Sequence, residues 1–180
     1  MPHTDDDLKA GAGFVLYELW MLQSCAATKV DRTPTPGCCQ TPGHLDVFQN
    51  LLCEGLVLHS RVLRDFFFTK VNSKAQRATF PDDIVAVDYF SRPTIWAHNS
   101  GALSPYLKNN KERMDKALAH LSVLRLEYQQ TSDKEWDAGQ LLLEINDKWF
   151  DFFTKLEKDN PERAAWFRKH EYANRVGFPR

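Results

Sequence analysis

The feature that most constrains this chain is the spacing of its apolar residues. They recur at three- and four-residue steps over four long stretches, which is the pattern of amphipathic helices. The clearest stretch is 110–130, NKERMDKALAHLSVLRLEYQQ, where Met114, Ala117, Leu118, Leu121 and Tyr128 line up as one stripe. A second covers 44–71 with Val47, Leu51, Leu58, Val62 and Phe66, and has Gly55 inside the stripe, where another helix could approach closely. A first helix is expected from Thr4 or Asp5, as cap, to about Lys29, carried by Leu8, Val15, Leu19, Leu22 and Ala26. A fourth is expected from about Lys134 to Lys158, after a Thr131-Ser132-Asp133 cap, with Ala138, Leu142, Ile145, Trp149, Phe152, Phe153 and Leu156 on one side. Pro161 opens a last, shorter helix.

The connections are less regular. Residues 31–44, DRTPTPGCCQTPGH, hold three prolines and two glycines and read as a loop. Residues 80–90, FPDDIVAVDYF, read as a short helix with Asp82 and Asp83 in its first turn. Their run Ile84-Val85-Ala86-Val87 also suits a strand, but no second strand is available to pair with it. Trp96 is expected to anchor the irregular segment 91–105. The fold class that follows is all-α: one domain over 1–180, an up-and-down helical bundle of four long helices plus one or two short ones.

Composition excludes some classes of function. The net charge is -1, so the chain lacks the broad basic footprint of a protein that coats nucleic acid non-specifically. Cys25, Cys38, Cys39 and Cys53 form no CxxC pair and no zinc spacing, which suits reduced thiols in a cytoplasmic protein. The N-terminus is acidic and polar, unlike a signal peptide, and no apolar run approaches the roughly 20 residues of a membrane span. No Glu-x-x-His occurs anywhere, so a di-iron type of bundle site has no ligand set, and no cofactor is implied.

Two polar constellations remain. Arg113 and His120 are seven residues apart and so share one helical face, about 90–110° from the middle of the stripe of 110–130. A neutral His can take the proton of a ribose 2′-hydroxyl, and an Arg can stabilise charge on the phosphate. Lys108, Lys111 and Lys116 lie nearby and could hold an RNA backbone. One His cannot easily act as both base and acid, so a homodimer bringing two such faces together would supply the second. The other constellation is a seam. Glu54, Arg61 and Asp65 lie along one edge of the second helix, with His59 on the other flank, while Arg125 falls inside the stripe of the third helix. Arg125 is therefore expected to be buried and bonded to Glu54 or Asp65. A purely structural network and a role in building a site are both compatible with this seam. Arg163 to His170 repeats the Arg-x6-His spacing, so the pattern arises cheaply.

The run Arg113-Met114-Asp115-Lys116-Ala117-Leu118-Ala119-His120-Leu121-Ser122 resembles the signature of HEPN-domain proteins, closest to abortive-infection-type members. The resemblance implies a helical bundle, often dimeric, with Arg113 and His120 as the motif pair of a metal-independent endoribonuclease or an RNA-binding component of a bacterial defence or toxin–antitoxin system. Asp115 would be the polar residue within the motif, with Glu54, Arg61, Asp65 and Arg125 in support. Met114 departs from that pattern, in which the Arg usually directly precedes the Asn or Asp. The alternative from another class is a non-enzymatic helical protein-interaction module.

Overall fold

The computed structural model describes residues 3–28, 42–68, 82–97, 103–117 and 136–179, and every regular element among them is helical. Helix α1 is Asp5–Ala27 and opens on a capping box. The Asp7 N–H donates to the Thr4 hydroxyl at 3.2 Å, and the Thr4 N–H donates back to the Asp7 carboxylate at 2.9 Å. Leu8, Val15, Leu19 and Leu22 are buried, as their spacing requires, and Ala26 is half-buried.

Helix α2, Pro42–Phe68, runs antiparallel to α1: Glu18 meets His59, and Cys25 sits against Gly55. A Cβ at Gly55 would stand 3.0 Å from the Cys25 sulfur, so the glycine does admit a close neighbour, and that neighbour is α1. The phase of α2 differs from expectation. Of the expected core stripe Phe66 is buried, Leu51, Leu58 and Val62 are exposed, and the Val47 side chain lies outside the described residues; Leu56, Val57, Leu63 and Phe67 are buried instead, together with Ser60 and Arg64. The buried side is turned roughly 150° from the expected one at 100° per residue. The physical reason is that α2 is apolar on nearly its whole circumference. Its core side also carries His59, Ser60 and Arg64, whose polarity hides it from a reading of apolar spacing.

Of the segment expected as a helix from Pro81, residues 82–85 are not helical, Val85 is extended, and Ala86–Tyr89 forms a single 3₁₀ turn. Asp82 and Asp83 precede that turn rather than opening it. The Asp88 carboxylate accepts the Val85 N–H at 2.9 Å. Val85, Ala86, Val87 and Tyr89 are all buried, which a helix with one core face would not achieve. The Tyr89 hydroxyl donates to the Leu8 carbonyl at 2.8 Å, and Gly11 leaves it room: a Cβ there would lie 2.8 Å from that oxygen. Helix α3, Pro93–Ala97, carries Trp96, whose ring N–H donates to the Phe67 carbonyl at 2.8 Å; it is the expected anchor.

Helix α4, Pro105–Ala117, begins five residues before the expected stretch, where the Leu107 N–H donates to the Ser104 hydroxyl at 3.0 Å. Helix α5, Ala138–Asp159, is capped by Asp137, and α6, Pro161–Lys169, by Asn160. A 3₁₀ turn over Glu171–Arg175 follows, and the Trp149 ring N–H ties the tail back through the Gly177 carbonyl at 2.7 Å. Leu141, Ile145, Trp149, Phe152, Phe153 and Leu156 of α5 are buried.

Phe152 is the hub of the core. Its ring centroid lies 5.5–6.0 Å from those of Phe66, Phe67, Tyr89, Phe90, Trp96, Trp149 and Phe167, mostly edge to face. One ring thereby joins α2, the 86–97 segment, α5 and α6. Phe152→Ala should therefore cost about 3–5 kcal/mol in urea unfolding. Phe150→Ala, two residues away on the partly exposed side, should cost less than about 1 kcal/mol.

Candidate functional site

The polar seam exists, and its centre is Arg64. This guanidinium is 2% exposed. Its Nε and Nη2 donate to Asp65 Oδ1 at 2.9 and 2.7 Å, and Nη2 also donates to Asp115 Oδ1 at 2.7 Å. Nη1 lies 4.0 Å from the Met114 sulfur. Asp115 further receives Lys111 Nζ at 2.7 Å and faces Arg61 Nε at 3.4 Å. Two carboxylates thus neutralise a buried cation and fix α4 on α2. Burial alone would raise the Asp115 carboxyl, but hydrogen bonds from Lys111 and Arg64 outweigh it and hold the group below the usual carboxylate value.

The structure brings together Arg61, Asp65, Lys111 and Asp115 among the residues marked out by the sequence. Glu54 is exposed on the same helix. His120 and Arg125 lie outside the described residues, as do the Lys116 side chain, His98, Cys38-Cys39 and nearly all of the 31–44 loop. The expected bond of Arg125 to Glu54 or Asp65 is therefore not described; the partner given to Asp65 is Arg64, which the sequence reading missed. Arg113 is half-buried, with its guanidinium carbon 4.0 Å from the Trp136 ring centroid. Lys108 is exposed on the same helix. The second Arg-x6-His is structural. Arg163 donates to the Asp88 carbonyl at 2.7 Å and to Asp5 at 2.8 Å, and the His170 ring accepts the Tyr172 N–H at 3.3 Å.

His59 is also committed within the fold. It is buried, with Nδ1 2.6 Å from Glu18 Oε2 and Tyr17 edge-on to its ring at 6.2 Å. Beside this pair, α1, α2 and residues 82–85 enclose a cleft of about 560 Å³. Phe14, Val62 and Ile84 line it together with Glu18, Asp65, Asp82 and Asp83, and among the described residues no basic side chain does. Among the described residues, no three or more His, Cys, Asp or Glu side chains group as a metal ion would need. No described helix is long and apolar enough to cross a membrane.

The remaining surface feature is apolar. Among the described residues seven large apolar side chains are exposed, and five of them belong to α1 and α2: Phe14, Phe48, Leu51, Leu58 and Val62. Leu51 is 58% exposed and Phe14 71%. Phe48, Leu51, Leu58 and Val62 fall within about 80° on the wheel of α2, over about 21 Å of helix. Phe14 and Val62 line the same cleft.

Fold and site define an all-α helical bundle with a buried Arg–carboxylate network and an exposed apolar helix face. Compared with known proteins, the chain matches no family model, no curated protein and no solved structure.

Two outcomes follow for the network. Arg64→Ala should cost about 2–3 kcal/mol in chemical unfolding, because it removes the hydrogen bonds that Asp65 and Asp115 accept from a buried guanidinium. Arg61→Ala, at a half-exposed pair, should cost less than about 1 kcal/mol. The Asp115 carboxyl is depressed in the folded state, so its contribution is fully present above the unfolded carboxylate value, about 3.9. It is lost as pH falls through the lower folded value. Unfolding midpoints measured from pH 6 downward should show this loss for the wild type below about pH 4 and a shallower one for Asp115→Asn.

Proposed function

We propose that this chain is a non-enzymatic helical interaction module whose contact surface is the outward face of α2 with Phe14 of α1. The observation that carries the reading is the gathering of Phe14, Phe48, Leu51, Leu58 and Val62 on one side of the bundle. Large apolar side chains scattered singly need no explanation, but a contiguous set on one helix face marks a contact site. The network of Arg64, Asp65 and Asp115 supports the same reading: its charges pair with one another to hold α4 on α2 and so keep that face rigid. Substituting Leu51→Glu and Leu58→Glu together should move the thermal midpoint little, since neither side chain is buried in the fold. The double variant should lose the assemblies that the wild-type chain forms in its own cells, read by native gel and by the mass of the purified complex. Unfolding of the double variant, or retention of every assembly, would overturn the reading.

A second reading, metal-independent RNA cleavage, draws support from Arg113. Its guanidinium is held against the face of Trp136 on a helix that also presents Lys108. In that reading His120 is the base, Arg113 stabilises the phosphorane charge, and a two-fold dimer at this face brings in a second His120 as acid. Cleavage should then proceed in EDTA, leave a 2′,3′-cyclic phosphate, and fall about 10²–10⁴-fold in His120→Ala. Equal cleavage by both proteins, or none by either, removes it.

A further inference from the structure

We infer that the cleft enclosed by α1, α2 and residues 82–85 binds a small organic amine, with the apolar body of the ligand on the cleft floor and its ammonium group at the rim. This goes beyond the interaction-module reading and does not rest on it, although Phe14 and Val62 take part in both.

The cleft has the dimensions of a ligand site. Its volume is about 560 Å³, and small-molecule sites span about 300–1,000 Å³. Its floor is apolar: Val15, Leu63, Phe66 and Val85 line it, and all four are buried. Its walls are held by the fold. The Glu18–His59 pair joins α1 to α2. The Asp83 carbonyl accepts from the His3 ring at 3.0 Å, and the Asp88 carboxylate accepts the Val85 N–H at 2.9 Å. A ligand therefore meets a preformed surface, and little ordering of the protein opposes its binding.

The charge around the cleft selects the ligand. Glu18 lines it half-buried, and Asp65, Asp82 and Asp83 line it at exposed positions, so the acids sit at the rim above an apolar floor. Glu18 Oε2 lies on His59 and Asp65 Oδ1 on Arg64; among the described residues the second oxygen of each makes no hydrogen bond. An anion would be repelled by these carboxylates. A neutral apolar molecule would cover the floor but strip water from the acids without replacing its hydrogen bonds. The acids come from α1, α2 and the 82–83 segment, and among the described residues no three such groups gather as a metal ion would need. A cation with an apolar body meets both conditions. Its ammonium stays at the rim, partly in water and close to the carboxylates, while its body leaves water against the floor. The rings of Phe14 and Phe66 line the same space and suit an aromatic body or the flank of the cation.

The test uses three probes of one shape and different charge: phenylbutylamine, phenylbutanol and phenylbutyrate. Each is titrated into the isotope-labelled full chain and followed through the backbone amide NMR signals. The amine should bind with a dissociation constant of about 1 mM or below and shift Val15, Leu63 and Val85 most. The alcohol should bind at least about threefold more weakly and the acid at least about tenfold. Added salt should weaken the amine and leave the alcohol unchanged. Asp82→Asn and Asp83→Asn together, at exposed positions, should leave the thermal melt unchanged, weaken the amine at least about threefold and spare the alcohol. Equal binding of the three probes, amine shifts centred elsewhere, an amine insensitive to the double substitution, or no amine binding at all overturns the site. The Leu51→Glu, Leu58→Glu variant keeps every residue of the cleft, so its cellular assemblies decide the module reading alone.

Discussion

A buried guanidinium governs how α2 can sit in this bundle. Arg64 lies on the core side of the helix, where a lone charge would cost several kcal/mol. It is tolerated because Asp65 accepts from it on one side and Asp115 on the other. Asp115 belongs to α4, so the requirement to neutralise Arg64 also specifies where α4 packs and at which rotation. Lys111, one turn before Asp115, completes the local charge balance. Hydrophobic burial alone would allow α2 several rotations, since apolar residues surround it. The ion pair selects one of them.

That selection explains which parts of the fold were legible in the sequence. In α1 and α5 most of the expected core residues are buried, Leu8, Val15, Leu19 and Leu22 in one and Ile145, Trp149, Phe152, Phe153 and Leu156 in the other, while Ala26, Ala138 and Leu142 are half-buried. Thr4, one of the two caps the sequence offered, does start α1, and Asp7 completes the box with it. In α2 the clean three–four spacing of Leu51, Leu58 and Val62 pointed outward, and the true core side was broken up by His59, Ser60 and Arg64. A polar residue with a partner on a neighbouring helix looks, in one dimension, like a surface residue. The signal that was available is the excess of apolar residues: Leu56, Val57, Leu63 and Phe67 cannot share one face with Leu51 and Leu58. The 84–89 run failed for a related reason. Its continuous apolar character reflects burial on all sides, and burial of that kind does not specify helix.

The candidate site was legible as a seam but not in its connections. Arg61, Asp65, Lys111 and Asp115 do converge, because helical spacing puts two of them on one edge of α2 and two on one edge of α4, and the fold supplied the contact. The residue that joins them, Arg64, was invisible while α2 was taken in the wrong phase. The His59–Glu18 pair was equally hidden, since Glu18 and His59 are 41 residues apart and nothing in the local pattern connects them. Arg163 and His170 show the opposite case. They reproduce the spacing of Arg113 and His120, yet one ties α6 to Asp5 and Asp88 and the other caps the last 3₁₀ turn. Spacing on a helix puts two groups on one face. What they do depends on what that face meets.

The same reasoning bears on function through α2. A helix that carries large apolar side chains on more than one side buries all of them only if more than one side meets apolar surroundings. Within the described bundle, α1, α4 and α5 cover three sides of α2, while the side bearing Leu51, Leu58 and Val62 is open to solvent. Leaving that side polar would have been easy, because no contact among the described residues needs it apolar. Glu54 and Asp65 prove that carboxylates are accommodated on that side. Phe14 makes the point from a second helix: it is 71% exposed, one turn from buried positions of α1 that hold the core without it. Two helices that each expose large apolar side chains toward the same side are not a lapse in one amphipathic pattern. Together they make one exposed apolar surface built from two helices, which the core does not require.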